Sequence, residues 1–87
     1  MNNKDIAIIF KALGDESRLE IVYLLKGGEL CGCDLLENFK ITQPTLSYHM
    51  KILTDSGLVI GKKNGSRIRY RINNEKLKYI KRFFVNL

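Results

Sequence analysis

Cys31 and Cys33 are the only thiols in the chain, and a single residue separates them. In a reducing compartment such a pair offers two sulfurs to a soft metal or metalloid. Cysteines this close do not form a stapling framework for a fold. The pair has no His beside it, and the chain has no C-x-x-C and no Gly-rich phosphate loop. A thiol enzyme or metal carrier is therefore disfavoured, and no organic cofactor is expected. The second stretch with chemistry is Thr42–Gly57. Leu46, Met50 and Leu53 recur there at helical spacing as one apolar stripe, while Gln43, Thr45, Ser47, Tyr48 and Lys51 offer hydrogen-bonding groups elsewhere on the helix. A helix anchored on one side and presenting hydroxyls, a phenol and an ammonium on the other suits a DNA major groove. His49 borders the stripe, so by helical angle it either packs or joins the groove contacts.

Charge supports a polyanionic partner. The 87 residues carry a net charge of +6. From Lys40 to Arg71 there are seven basic residues and one acid, Asp55, whereas the remainder of the chain is neutral. The whole excess thus lies on the Thr42–Gly57 helix and the segment after it, an electrostatic footprint for nucleic acid. No apolar run approaches membrane-spanning length and Met1–Asp5 is no signal peptide, so no membrane contact is expected and a cytoplasmic location is.

The elements that must position these residues can be read from periodicity and caps. Ile6, Ile9, Phe10 and Leu13 mark an amphipathic first helix, about 5–13, ended by Gly14. Asp15 caps a second helix running to about Lys26. Glu29 to Gly32 reads as an extended stretch, and Asp34 to Phe39 is a short third helix. Thr42 caps the fourth, with Pro44 in its first turn and Gly57 as its stop. A short helix, a tight turn and a polar-faced helix make a helix-turn-helix, about 34–56. Leu58–Lys63 and Arg67–Ile72 are two strands of a hairpin, a wing spanning 58–72, flanking Asn64-Gly65. A three-residue loop, Asn64 to Ser66, would set Leu58 and Ile60 against Ile72 and Tyr70, with Lys63 beside Arg67, and is preferred to a two-residue Asn64-Gly65 loop. Lys62, Lys63, Arg67 and Arg69 are then placed for phosphates or the minor groove. Asn74 caps a last helix, about 75–86, with Leu77, Ile80, Phe83 and Phe84 on its apolar side. With Ile6, Ile9 and Phe10 of the first helix, these form the expected self-association surface of a homodimer.

The order is α-α-α-α-β-β-α in one domain, residues 1–87: an α+β, mainly α, winged helix-turn-helix. Leu13-Gly-Asp-Glu-Ser-Arg-Leu19, Glu29-Leu-Cys-Gly-Cys-Asp-Leu35, Gln43-Pro-Thr-Leu-Ser-Tyr-His-Met50 and the wing ending Tyr70-Arg71 together resemble the ArsR/SmtB family of metal-responsive repressors. The Glu29–Leu35 segment looks like the inducer-binding signature of its arsenic-responsive branch. The resemblance implies a dimeric repressor on double-stranded operator DNA, released when As(III) or Sb(III) binds Cys31 and Cys33. It links Ser47 and His49 to DNA binding. Leu36 stands where some arsenic repressors have a third cysteine. The N-terminal cysteines of cadmium or lead sensors are missing from Met1–Asp5, and the last helix has only Glu75 toward a zinc site. A winged-helix regulator without metal input, redox-responsive or constitutive, is the alternative.

The expected switch is geometric. Residues two apart on a helix point about 200° away from each other. Two helical thiolates could not share one ion, so binding would have to unwind the turn carrying Cys31 and Cys33. A disulfide between them is expected to be badly strained at this spacing, so a redox switch is the weaker version of the mechanism.

Overall fold

A computed structural model describes residues 1–87. Five helices, α1 (Asn3–Leu13), α2 (Glu16–Leu24), α3 (Gly32–Glu37), α4 (Gln43–Asp55) and α5 (Asn74–Val85), enclose a small antiparallel sheet of β1 (Leu30–Cys31), β2 (Val59–Asn64) and β3 (Arg67–Ile72). A tight helical turn, Leu25–Gly27, finishes α2. No helix is long and apolar enough to cross a membrane. The helices begin where polar side chains accept first-turn N–H groups: Asn2 for α1, Asp15 for α2, Thr42 for α4 and Asn73 for α5. Asn73, not Asn74, is the last cap. It also donates through Nδ2 to the Gly57 carbonyl at 3.0 Å and through its backbone to Leu58 at 2.8 Å, tying α5 to the end of α4.

Leu46, Met50 and Leu53 of α4 are buried with Leu35 of α3 and Ile21 and Leu25 below them. Removing a large aliphatic side chain from water contributes about 1.5–3 kcal/mol, so this stripe is what holds α4 at a set tilt. Tyr70, Ile72 and Val59 close the same core from the sheet. A smaller cluster of Ile9, Leu58 and Ile80 joins α1 to α5. Leu19 and Tyr23, two apolar residues of α2, face solvent instead.

The sheet departs from expectation in two ways. It has three strands in the order β1-β3-β2, so β3 is central and the two-residue β1 pairs with it, Leu30 opposite Tyr70 and Cys31 opposite Arg69. The wing register is also neither of the two that the Asn64-Gly65 pair suggests. Val59 faces Ile72, Gly61 faces Tyr70, Lys62 faces Arg69 and Asn64 faces Arg67. The loop is therefore Gly65-Ser66, with Gly65 at φ +66 and Ser66 not positive, the pattern of a type II′ turn. Gly61 is the physical reason for this register. A Cβ there would sit 3.0 Å from Tyr70 Cε1, so the glycine is where the tyrosine ring lies across the strand. Ile60, expected inward, is half-buried opposite Arg71, and Leu58 leaves the sheet for the α1–α5 cluster.

Candidate thiol site and DNA-facing surface

Cys31 ends β1 and caps α3 at once. Its backbone is extended, φ −80 and ψ 163. Its Sγ accepts from the Asp34 N–H at 3.2 Å, while the Asp34 carboxylate accepts from the Cys31 N–H at 3.0 Å. This reciprocal pair is a capping box in which a sulfur replaces the usual hydroxyl. The helix consequently starts at Gly32, two residues before the expected Asp34, and Cys33 lies in its first turn.

That placement overturns the geometric argument for unwinding. Only Cys33 is helical, so the 200° separation does not apply. The structure joins the two sulfurs in a disulfide with α3 intact and the Cα atoms 5.3 Å apart, within the range such a bond needs. The strain expected from the spacing is not required, because Cys31 is extended and lies outside the helix. The ligand atoms of Cys31, Cys33 and Asp34 all lie within 4.8 Å of one another. The donor set is two soft sulfurs and one hard oxygen, which suits a thiophilic ion better than a hard cation. Cys31 is buried and Cys33 exposed, giving one anchored and one accessible sulfur.

The thiol pair opens onto a cleft of about 250 Å³ between the helix-turn-helix and the wing. Its walls are Leu36 of α3, Gln43, Leu46, Ser47 and Met50 of α4, and Ser66 to Ile68 with Tyr70 on the wing side. Burial pushes the Tyr70 phenol above its ordinary value, keeping it neutral. A change at the sulfurs therefore meets both α4 and the wing across one gap.

On α4, Gln43, Thr45, Ser47, Tyr48 and Lys51 are all exposed. Thr42 caps the helix, and its hydroxyl lies 3.0 Å from that of Thr45. Lys51 is joined to Asp55 at 3.1 Å in a solvated pair that a phosphate can displace. His49 does not share this face. It is 8% exposed, and Arg18 Nη1 donates to its Nδ1 at 3.2 Å. Arg18 also donates through Nε to the Ala12 carbonyl at 2.6 Å, and Asp15 lies 4.0 Å from the same ring nitrogen. The Arg18 backbone N–H, then the neighbouring Arg18 guanidinium, hold the Asp15 carboxyl below its usual value against the opposing effect of burial. Arg18 thus pins α4 to the end of α1, and His49 packs against it, one of the two placements its helical angle left open.

In the wing, Lys62, Lys63 and Arg67 are exposed, with Lys62 on the face of Arg67, Arg69 and Arg71 and Lys63 on the face of Ile68. Arg69 is half-buried, its Nε donating to Glu29 Oε1 at 2.5 Å. Of the expected dimer residues, Ile9 is fully buried and Ile80 is 7% exposed within this chain's own α1–α5 cluster, so neither is free to meet a partner. Ile6, Phe10, Leu77 and Phe83 are half-buried and Phe84 is exposed; Phe10, Phe83 and Phe84 form an aromatic triangle with centroids 5.6–5.8 Å apart. The contacts of Asp34, Glu29 and Arg18 were not singled out from the sequence, and Asp15 was read there only as a helix cap. The D-L-L spacing after Cys33 carried a signal for Asp34, since a carboxylate three residues after a cap closes a capping box.

A polar-faced helix seated on a buried stripe, a basic hairpin beside it and a thiol pair at the head of the supporting helix define a DNA-binding regulator of winged helix-turn-helix architecture. The comparisons agree. Residues 15–60 match the model of the bacterial regulatory protein arsR family. The arsenical resistance operon repressor of Staphylococcus xylosus is 55% identical over 80 residues, covering 92% of this chain and 77% of its own. A solved ArsR-family transcriptional regulator superposes with a TM-score of 0.89 at 23% identity, over 99% of this chain and 89% of its own, a likeness of fold. A homodimeric winged helix-turn-helix DNA-binding domain from Mycobacterium bovis, a possible ArsR-family regulator, does so at 0.77 and 30% identity, over 94% and 73%. The chain belongs to the arsR family of bacterial transcriptional regulators.

Proposed function

We propose that this chain is a homodimeric, cytoplasmic repressor of an arsenic-resistance operon, released from its operator when As(III) or Sb(III) binds Cys31 and Cys33. The observation that carries the reading is the meeting of both sulfurs at the head of α3, on the rim of the cleft that separates α4 from the wing. The likeness to arsenical resistance operon repressors supports the same inducer class. Residues 1–87 act as one DNA-binding domain. Gln43, Thr45, Ser47 and Tyr48 read the groove, with Lys51, Lys62, Lys63 and Arg67 on phosphates. Dimerisation through α1 and α5 uses Ile6, Phe10, Phe83 and Phe84 and sets the two reading helices about 34 Å apart, one DNA turn. The chemistry is binding and release, without turnover.

The test is operator binding measured by fluorescence anisotropy in a phosphine reductant, with arsenite titrated in. Wild type is expected to dissociate. Cys31→Ser is expected to bind operator and stay bound at every arsenite concentration. Dissociation of Cys31→Ser at wild-type arsenite levels overturns the thiol assignment. The Cys31–Cys33 disulfide favours a second, oxidant-responsive reading. Under it, a disulfide-forming oxidant releases the operator and arsenite leaves the reduced protein bound.

A further inference from the structure

The wing is tied to the thiol strand at one place. Cys31 lies directly opposite Arg69 in the β1–β3 pairing, and β3 is the central strand. Cross-strand partners share a face, so Arg69 projects on the side of Cys31. One residue before β1, Glu29 reaches diagonally back to accept from Arg69 Nε at 2.5 Å. β1 is only two residues long, and a ladder that short is marginal without further fastening. Arg69 also faces Lys62 across the hairpin, with Arg67 and Arg71 two residues either side of it on the same face. Like charges opposite one another push strands apart, and Glu29 is the acid that offsets them. The ion pair therefore does two things at once: it holds the short strand in register and neutralises the arginine that would otherwise strain the wing.

We propose that Glu29 and Arg69 are positioning residues whose ion pair clamps the central wing strand to the strand carrying Cys31, and that occupancy of the thiol pair reaches the wing through this clamp. The second half rests on the proposed release by a thiol-bound inducer; the first does not. Cys31 Sγ accepts from the Asp34 N–H even while joined to Cys33, so a ligand shared by the two sulfurs reaches Arg69 by re-aiming Sγ and the residue that carries it, not by deleting the acceptor. The wing then moves with β1, and the operator, which favours the fastened wing, is lost. Arg69 accordingly acts through Glu29 and not as a free phosphate contact.

A double-mutant cycle on Glu29→Gln and Arg69→Gln tests this, read first as operator affinity without inducer. Each single variant is expected to weaken binding about two- to fivefold, the range of a partly exposed ion pair, and the double variant to weaken it no further. Amide hydrogen exchange along β3 should quicken in all three. In the variants arsenite should lower operator affinity by a factor about two to five times smaller than in wild type, because the wing is already loosened. Were Arg69 a phosphate contact that Glu29 merely masks, Glu29→Gln would tighten operator binding, and Arg69→Gln would weaken it equally with or without Glu29; either result overturns the clamp. If arsenite fails to release even wild type, the release reading falls, while the inducer-free cycle and the exchange rates still decide the clamp.

Discussion

The sulfur cap of α3 makes a prediction that separates stability from sensing. Cys31→Ala removes the acceptor for the Asp34 N–H, which now lies 3.2 Å from Sγ, and leaves the reciprocal bond from the Cys31 backbone to Asp34 in place. Losing an N-cap acceptor typically costs about 1 kcal/mol, within about 0.5–2. Cys31→Ser keeps an acceptor, and a hydroxyl caps at least as well as a thiol. For a domain of this size about 1 kcal/mol corresponds to a shift of about 4–8 °C in Tm. In a phosphine reductant, where no variant has a disulfide to lose, the expected order of Tm is Ser at or above Cys, and Ala about 4–8 °C below Ser. Thermal unfolding by circular dichroism at one protomer concentration measures this, since association shifts apparent stability. Both variants lose the thiol and should lose arsenite release alike, so sensing and capping come apart in one pair of proteins. If Ala melts with Ser or above it, the sulfur is no cap and α3 starts at Asp34 as its helix-forming residues alone indicate.

Gly61→Ala places a Cβ 3.0 Å from the Tyr70 ring, and overpacking of this kind costs about 1–3 kcal/mol; denaturant unfolding should show it, and an unchanged midpoint would contradict the Gly61–Tyr70 register. Asp15 has a depressed folded pKa, so its contribution to stability is present in full above the ordinary value of 3.8 and is lost as pH falls through the depressed one. Asp15→Asn, which keeps a capping oxygen, should flatten that acid limb in a pH series of melts. Phe84 is 57% exposed, so Phe84→Glu should leave the fold intact and shift sedimentation toward monomer, whereas Ile9→Ala, at 0% exposure, should cost about 2–5 kcal/mol of stability.

The helices were legible because their signals are local. Asp15 and Thr42 cap where a hydroxyl or carboxylate precedes an apolar period, and the Leu46–Met50–Leu53 stripe is buried as its spacing demands. What was not legible depended on partners distant in sequence. The Gly65-Ser66 turn was readable in principle, since Gly-Ser is a type II′ signature, but the more familiar Asn-Gly pair one residue earlier competed with it. Choosing between them required knowing that Gly61 must make room for Tyr70, a contact between strands. β1 lies inside the stretch Glu29–Gly32 that reads as extended, but its pairing was not legible because two residues show no alternation; only β3 makes it a strand. His49 lay at the edge of its helix's stripe, and the deciding group, Arg18, lies 31 residues away. Ile9 and Ile80 read as surface stripes because each helix's pattern says which side is apolar and not whether that side meets its own chain or another.

The thiol pair shows most clearly why spacing is weaker than position. Two cysteines at i and i+2 point apart inside a helix and meet when the first is the residue before it. Ligand binding at such a site need not break backbone hydrogen bonds of α3; its cost to the fold is at most the cap, about 1 kcal/mol, together with whatever β1 loses against β3. Allosteric couplings of about 1–3 kcal/mol are typical, so the cap alone reaches the low end of that range and the strand pairing must supply the remainder. A switch built this way is expected to act on the wing before α4, whose stripe is buried against Leu35 and Ile21. The expected signature is a protein whose α4 amides exchange equally slowly with and without arsenite while those of β3 do not. Quickened exchange in α4 with β3 unchanged would place the coupling in the helix-turn-helix instead.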